Sequence, residues 1–436
     1  DVRQELDLRI GAAFTRFQTM KLQRIPELSQ MLISYGSCQF PTLGFVVERY
    51  KQRMNFVPES FWLIEVKYTK NGLTASFNWS RHRLFDERVC LGFLERLLRK
   101  PEANVLKVDS KRTSRWRPEP MDTVALEKLA SNKLKISAKR AMDAAEKLYT
   151  KGFISYPRTE TTIFPPDINL ANYVEMQTQN RIWGQFAQKV LENGPNPRQG
   201  KKTDKAHPPI HPTKYADNLS GDEAMVYELV VRHFLACLSK DAVGNQTSIE
   251  ISINEELFHL NGLIILERNF LEVYIYESWN NKEIPEFRPG QCFTPDSIMM
   301  TEGKTTAPQL LTEAELIALM EKNGIGTDAT HAEHIEKIKS RNYIQETTDR
   351  RLAPCELGIG LVDGYDEMGY EMSKPFLRAA LETDLQGISN GNKDSKQVLQ
   401  QQISQYERVF VESVRNVNKL TNSVEKYLNE KIFSLN

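Results

Sequence analysis

Two stretches of the chain, 190 positions apart, read as the same unit. Residues 122–154 align without a gap on 312–344. Asp122 falls on Thr312, both residue types that cap helix N-termini, and Ser137 falls on Thr327, a second cap pair. Leu126 meets Leu316, Leu129 meets Leu319, Ala145-Glu146-Lys147-Leu148 meets Ile335-Glu336-Lys337-Ile338, and Phe153-Ile154 meets Tyr343-Ile344. Thr312 with Glu315 also has the spacing of a capping box. Two copies of helix–turn–helix followed by a strand predict two winged-helix-like units. That shape often presents a helix to DNA, and it also serves as plain scaffold.

Around these copies the hydrophobic period changes. Residues 1–56 are helical in pattern and end in a Gly/Pro-punctuated turn, Ser34 to Gly44. From 57 to 115 the period is two, and Asn71-Gly72 between two alternating runs signals a type I′ hairpin. Residues 116–242 are helical. Strand alternation resumes over 243–306, with runs at 247–253, 263–266 and 270–276, and 307–436 is helical again. The expectation is a multidomain α+β protein with one β-rich domain (57–115 with 243–306). One helical domain (116–242) is inserted in it, and a second is formed by 1–56 with 307–436. At 436 residues, several cores are required.

Bulk chemistry excludes little. Lys plus Arg and Asp plus Glu are 57 each, so a nucleic-acid binder must gather its positive charge into a groove. No apolar run approaches the ~20 residues of a membrane span. The five cysteines are far apart, with no C-x-x-C pair, which argues against structural zinc and fits a reducing compartment. The chain opens on Asp1 without Met, directly on a helical pattern, and is expected to be part of a longer protein.

Chemistry gathers after the first copy of the repeat. A helix running from Ala138 stops at Lys151-Gly152, and Phe153-Ile154 read as a short strand. Pro157 biases Tyr156 toward an extended conformation, so Tyr156 and Arg158 share a face. A free phenol is about 0.1% phenolate at neutral pH. A neighbouring guanidinium favours the phenolate and binds phosphate in a fork. On spacing alone, a buried structural Tyr beside a surface Arg is the better-fitting reading. In Ala206-His207-Pro208-Pro209-Ile210-His211, the prolines forbid a helix, so the i, i+4 histidines do not make a helical metal site. A rigid loop holding one of these histidines near a phosphate suits the pattern better. Arg115 and Trp116 sit in a run of cations, 111–117, which reads either as a single-strand-binding stretch or as a solvated linker.

Taken together, Gly152 to Thr161, Gly36-Ser37-Cys38-Gln39-Phe40-Pro41-Thr42-Leu43-Gly44, His207 to Thr213, and Leu311 to Glu315 running on to Gly324–Glu333 resemble the type IA DNA topoisomerases. Within them the resemblance is to eukaryotic topoisomerase III of the alpha type. It implies a toroid built from two winged-helix or CAP-like helical domains and a β-rich arch. It also implies cleavage of single-stranded DNA by Tyr156 through a 5′-phosphotyrosyl link, strand passage, and religation without ATP. Arg158 would bind the scissile phosphate and His207 would be the active-site histidine. Gln39, Thr42, Thr159, Thr327 and Thr330 would line the DNA path. The resemblance further implies Mg²⁺, a RecQ-family helicase and an OB-fold accessory protein as partners, and a nuclear location with a mitochondrial form as an alternative.

Two rival readings stand beside it. One is a non-catalytic winged-helix DNA-binding protein with a structural Tyr156. The other is a tyrosine recombinase, which would leave a 3′ rather than a 5′ link. The family's metal-binding Toprim domain, with its Asp-x-Asp cluster and catalytic Glu and Lys, has no match in these residues, and no metal ligands are expected in this chain. The isolated 436 residues should therefore bind a single-stranded oligonucleotide weakly and leave it uncut in Mg²⁺; cleavage products on a denaturing gel would contradict this.

Overall fold

The computed structural model describes residues 2–326, 330–370 and 372–430. The chain begins with helices α1 (Val2–Leu22) and α2 (Gln39–Met54). Leu6, Ile10, Phe14 and Phe17 form the buried stripe of α1, at the spacing of a one-sided helix. Pro41 falls in the first turn of α2, where its missing N–H has no intrahelical partner to lose.

Next come β1 (Ser60–Lys70), β2 (Leu73–Trp79), helix α3 (Glu87–Arg99) and β3 (Ala103–Arg115). Asn71 and Gly72 turn the first hairpin with φ of +55° and +77°, and Lys70 pairs with Leu73. That is the type I′ geometry. After a helical segment the chain returns as β4 (Ala242–Ile253), β5 (Glu256–Glu267), β6 (Cys292–Phe293) and β7 (Ser297–Lys304). The seven strands form one antiparallel sheet in the order β6-β3-β4-β5-β2-β1-β7. Arg115 at the end of β3 pairs with Ala242 at the start of β4, so the 116–241 segment leaves and re-enters the sheet at one point. Cys90 and Leu97 of α3 share a core with Ile64, Phe77 and Phe258 of the sheet.

Three local expectations change. Residues 270–276 are not a strand. Asn269 takes φ of +46° and starts a 3-10 turn, and Phe270, Leu271, Val273 and Tyr274 are buried in the helical core instead of alternating across the sheet. Helix α3 interrupts a region read as strands alone. The cationic run at 111–117 is no linker through Arg115, because β3 continues to that residue with every position from Lys107 paired to β4.

The inserted segment contains α4 (Thr123–Leu129), α5 (Ala138–Thr150), α6 (Leu170–Gln177), α7 (Gly184–Asn193) and α8 (Gly221–Cys237). Beyond the sheet follow β8 (Leu311–Thr312), α9 (Glu313–Lys322), α10 (His331–Ser340), β9 (Ile344–Glu346), β10 (Arg351–Pro354) and helices α11 (Glu356–Glu367), α12 (Phe376–Ser389), α13 (Ser395–Arg415) and α14 (Val417–Glu430). The sequence repeat is a structural repeat. Asp122 caps α4 by accepting from the Ala125 amide; Thr312 caps α9 by accepting from Glu315, whose side chain completes the capping box. The core pairs Leu126/Leu316, Ala145/Ile335, Leu148/Ile338 and Ile154/Ile344 are all buried. The caps of the second helices differ. Ser137 accepts from Arg140 at the start of α5, whereas α10 begins at His331 behind Thr330; Thr327, the expected cap and DNA-path residue, lies outside the described residues.

The strands of the repeat follow one plan. In the second copy β10 lies between β8 and β9. In the first, single bridges join Met121 to Ile210 and Ile154 to Pro212, so the 210–212 segment takes the place of β10. The helices then meet by counterpart, α4 packing on α9 and α5 on α10. Each element touching its own equivalent is the pattern of a two-fold, isologous contact. Among the described residues, no helix is long and apolar enough to cross a membrane.

Candidate active site

The backbone around Tyr156 is fixed from both sides. The α5 helix ends in a Schellman turn: Gly152, at φ +77°, donates to Tyr149 O, and the Phe153 amide donates to Leu148 O. Ser155 is buried and bonded three times to the 209–211 loop, its amide donating to His211 O at 2.9 Å, its hydroxyl donating to Pro209 O at 3.1 Å and accepting from the His211 amide at 3.0 Å. On the other side, Thr123 at the start of α4 donates its hydroxyl to Pro157 O at 2.6 Å and accepts from the Thr159 amide at 2.9 Å. Residues 155, 157 and 159 are buried, while Tyr156 and Arg158 are partly exposed. The extended segment therefore turns both the Tyr156 and the Arg158 side chains outward.

The strand plan that places 210–212 beside Ile154 also places His207 beside Tyr156. Their rings lie 4.8 Å apart at 39°, and Tyr149 meets Tyr156 edge-on at 5.2 Å. His207 is held by Asp204. The amides of Ala206 and His207 both donate to Asp204 Oδ1 at 2.8 Å, and His207 Nδ1 lies 3.2 Å from Oδ2. Thr161 and Thr159 donate their hydroxyls to the same carboxylate at 3.0 and 3.2 Å. Burial works to raise the Asp204 pKa, but these donors outweigh it and hold the group well below the usual carboxylate range. An ionised carboxylate only accepts hydrogen bonds, so Nδ1 carries the proton that faces Asp204.

Arg158 is half-buried between two acids. Its Nε and Nη2 donate to Glu146 Oε1 of α5 at 2.8 and 2.7 Å, and Nη2 donates to Glu333 Oε1 of α10 at 2.7 Å. The bond to Glu333, followed by that to Glu146, holds the guanidinium proton more tightly than usual against the opposing effect of burial. The geometry brings together a phenol, an imidazole fixed by a carboxylate and a guanidinium, groups whose chemistry can serve phosphoryl transfer.

A DNA topoisomerase family model matches residues 1–400 of the chain. The chain belongs to the DNA topoisomerase family. It is 59% identical over 434 residues to mouse DNA topoisomerase 3-alpha, a match that covers 99% of this chain and 43% of the mouse protein. To DNA topoisomerase 3 of Caenorhabditis elegans it is 52% identical, over 99% of this chain and 58% of that one. The chain thus spans about half the length, or less, of these relatives. Among solved structures, full-length topoisomerase I from Thermotoga maritima superimposes with a TM-score of 0.74 over 94% of this chain and 67% of that one. At 24% identity that likeness concerns the fold: helices with an antiparallel sheet.

The other expected residues are dispersed. Thr159 lies beneath the site, buried and bonded to Thr123 and Asp204. Gln39, at the start of α2, and Thr330, before α10, line one cavity of about 420 Å³ with Gly36, Ser37, His334 and Arg378. Gln39 Oε1 is buried there with no hydrogen-bond partner. Thr42 is fully buried inside α2, its hydroxyl donating to Cys38 O at 2.7 Å. Arg115 is paired with Glu277 at 3.0 Å, and Arg112 and Arg117 are also paired, with Glu267 and Asp241. Trp116 is 65% exposed, with the Arg198 guanidinium 4.9 Å above its ring. His211 is buried against Phe164, Tyr173 and Phe234, with Nδ1 on Pro209 O. Burial lowers its pKa, and its role is packing.

Sequence reasoning missed Asp204, Glu146, Glu333 and Glu127. The signal for Glu127 was in the repeat: it aligns with Ile317, a core position, so a carboxyl stands where its counterpart is apolar. Glu127 is fully buried, and neither carboxyl oxygen has a hydrogen-bond partner; the nearest ionisable nitrogen is His331 Nδ1 at 3.8 Å. Burial raises its pKa well above the ordinary value, and Glu333 and Glu313 add to the shift, against the Ala332 amide and Arg158. Burial lowers His331 to about 4, so it stays neutral and offers no compensating charge. Among the described residues, no group of three or more His, Cys, Asp or Glu is arranged to hold a metal.

Glu127 sets a pH dependence. Below its ordinary value of 4.5, folded and unfolded chains both carry the proton. As pH rises above it, the unfolded chain ionises while the folded one does not, and stability falls progressively. Glu127→Gln should therefore melt higher than the parent, by about 2–4 °C for each kcal/mol recovered. The gap should widen as the pH rises above the ordinary value of 4.5. A constant gap in calorimetry would contradict a buried, proton-bearing Glu127.

Proposed function

We propose that this chain is the nucleophile-bearing part of a type IA DNA topoisomerase III of the alpha type. On this reading the seven-stranded sheet is the arch, and the two helical units are the winged-helix or CAP-like walls of a toroid. The observation that carries the proposal is the Tyr156–His207–Asp204 alignment beside Arg158.

Tyr156 Oη attacks the phosphorus of a single-strand phosphodiester. An Oη–P bond forms to the 5′ side, the P–O3′ bond breaks, and the released 3′ oxygen takes up a proton as Tyr156 gives one up. His207 Nε2 can take the phenol proton as the bond forms, or donate to a nonbridging oxygen. Arg158 positions the phosphate and neutralises the charge that builds on its oxygens. One phosphoester replaces another, so religation by the 3′-hydroxyl requires no ATP. Strand passage through the open gate would relax negative supercoils and dissolve recombination intermediates. The Mg²⁺ implied by the resemblance would be held by a Toprim domain outside these residues. Single-stranded DNA is the substrate; a RecQ-family helicase and an OB-fold protein would be partners, and the nucleus, with a mitochondrial form, the location.

The test uses the full-length protein on negatively supercoiled plasmid in Mg²⁺. Tyr156→Phe should abolish relaxation. Asp204→Asn should lower the turnover rate by roughly tenfold to a hundredfold, within the range a positioned acid–base group contributes, with little change in DNA affinity. Parental relaxation by Tyr156→Phe would show that Tyr156 is not the nucleophile, and a parent that relaxes nothing would leave the non-catalytic winged-helix reading in place.

A further inference from the structure

Arg158 carries one positive charge and is paired with two negative ones, one from each helical unit. Glu146 lies on α5 of its own unit; Glu333 lies on α10 of the other. Glu333 is only half satisfied, because its Oε2 is buried with no hydrogen-bond partner. We propose that Glu333 is a positioning residue that holds Arg158 in the place of a DNA phosphate. It yields Arg158 when a phosphate arrives, so that phosphate binding and parting of the two units are one event. The inference rests on the reading of Arg158 as a phosphate ligand.

Charge balance decides which acid leaves. A phosphodiester brings one negative charge, and with both carboxylates in place it would be the third anion on a single guanidinium. In a half-buried setting such repulsion is poorly screened. Glu146 travels with Arg158, since both belong to the α5–Tyr156 segment pinned by Thr123 and the Schellman turn. Glu333 belongs to the other body, so a separation of the units removes it without disturbing the site. The rest of the polar seam can be broken and re-formed. Lys128 and Lys202 both reach Glu321, at 3.1 and 2.6 Å, with side chains about a third to a half exposed. Pairs of that kind are individually weak. The Ala138 amide donates to Glu313 Oε2 across the same seam at 2.9 Å.

The account separates Glu333 from Glu146 by function. Both neutralise Arg158, but only Glu333 ties the two units together. Glu333→Gln should therefore release both the guanidinium and the seam, while Glu146→Gln should ease phosphate binding and leave the seam closed.

The experiment measures two quantities on the full-length protein: the oligonucleotide concentration that half-saturates covalent adduct formation, and hydrogen exchange of the Ala138 amide. Glu333→Gln should lower the half-saturating concentration about fivefold or more. It should also bring Ala138 exchange in the absence of DNA up to the rate the parent shows with DNA. Glu146→Gln should leave Ala138 exchange at the parental rate. Parental half-saturation in Glu333→Gln, or equal opening of the seam by Glu146→Gln, would overturn the proposal. Should Glu333→Gln fail to fold, the Tyr156→Phe protein carries the test, because oligonucleotide must still speed Ala138 exchange when no bond can form. A seam that ignores DNA there refutes the latch alone, whereas a parent that forms no adduct refutes the nucleophile alone.

Discussion

The contact between the two copies of the repeat is the constraint from which the site follows. The α4 and α5 helices meet α9 and α10 as counterparts, and the seam between them carries the groups that define the chemistry. Arg158 is fixed by an acid from each copy. Thr123, the first residue of α4, holds the segment that bears Tyr156 and Arg158. One copy presents Tyr156 and Arg158, and the other presents a carboxylate to the Arg158 guanidinium.

The strand plan of the repeat explains why Tyr156 and His207 meet although 51 positions separate them. In the second copy β9 and β10 are joined by a short turn. In the first, helices α6 and α7 and their loops are inserted before the chain returns at 210–212 to pair with Ile154. The prolines around His207 then keep the returning segment extended, and Asp204 fixes the ring. The insertion adds its chemistry without altering the skeleton beneath it. The helical insertion in the sheet obeys the same rule, leaving after Arg115 and re-entering at its pairing partner Ala242.

Much of this was legible in the residues. The caps at Asp122, Ser137 and Thr312, the stop at Gly152, the turn at Asn71-Gly72 and the outward face shared by Tyr156 and Arg158 are local, and local rules read them correctly. What failed was non-local. The 270–276 run has strand-like composition, but its apolar side chains are drawn into the helical core, so burial outweighed alternation. The cations around Trp116 look like a free basic patch in sequence; in the fold, acids distant in the chain pair Arg112, Arg115 and Arg117. Asp204, Glu146 and Glu333 were invisible because an acid becomes part of a site only when the fold places a partner beside it. Glu127 was the exception, since the repeat set it against Ile317.

The central claim is that Tyr156 is the nucleophile and that the link it forms is to a 5′ phosphate. The most direct measurement is mass spectrometry of the full-length protein trapped on a single-stranded oligonucleotide, after digestion of both. The account predicts one modified peptide spanning Tyr156, carrying a nucleotide through its 5′ phosphate on the phenolic oxygen, with a free 3′-hydroxyl on the released strand. A link through a 3′ phosphate, or a modification on any other residue, would contradict it.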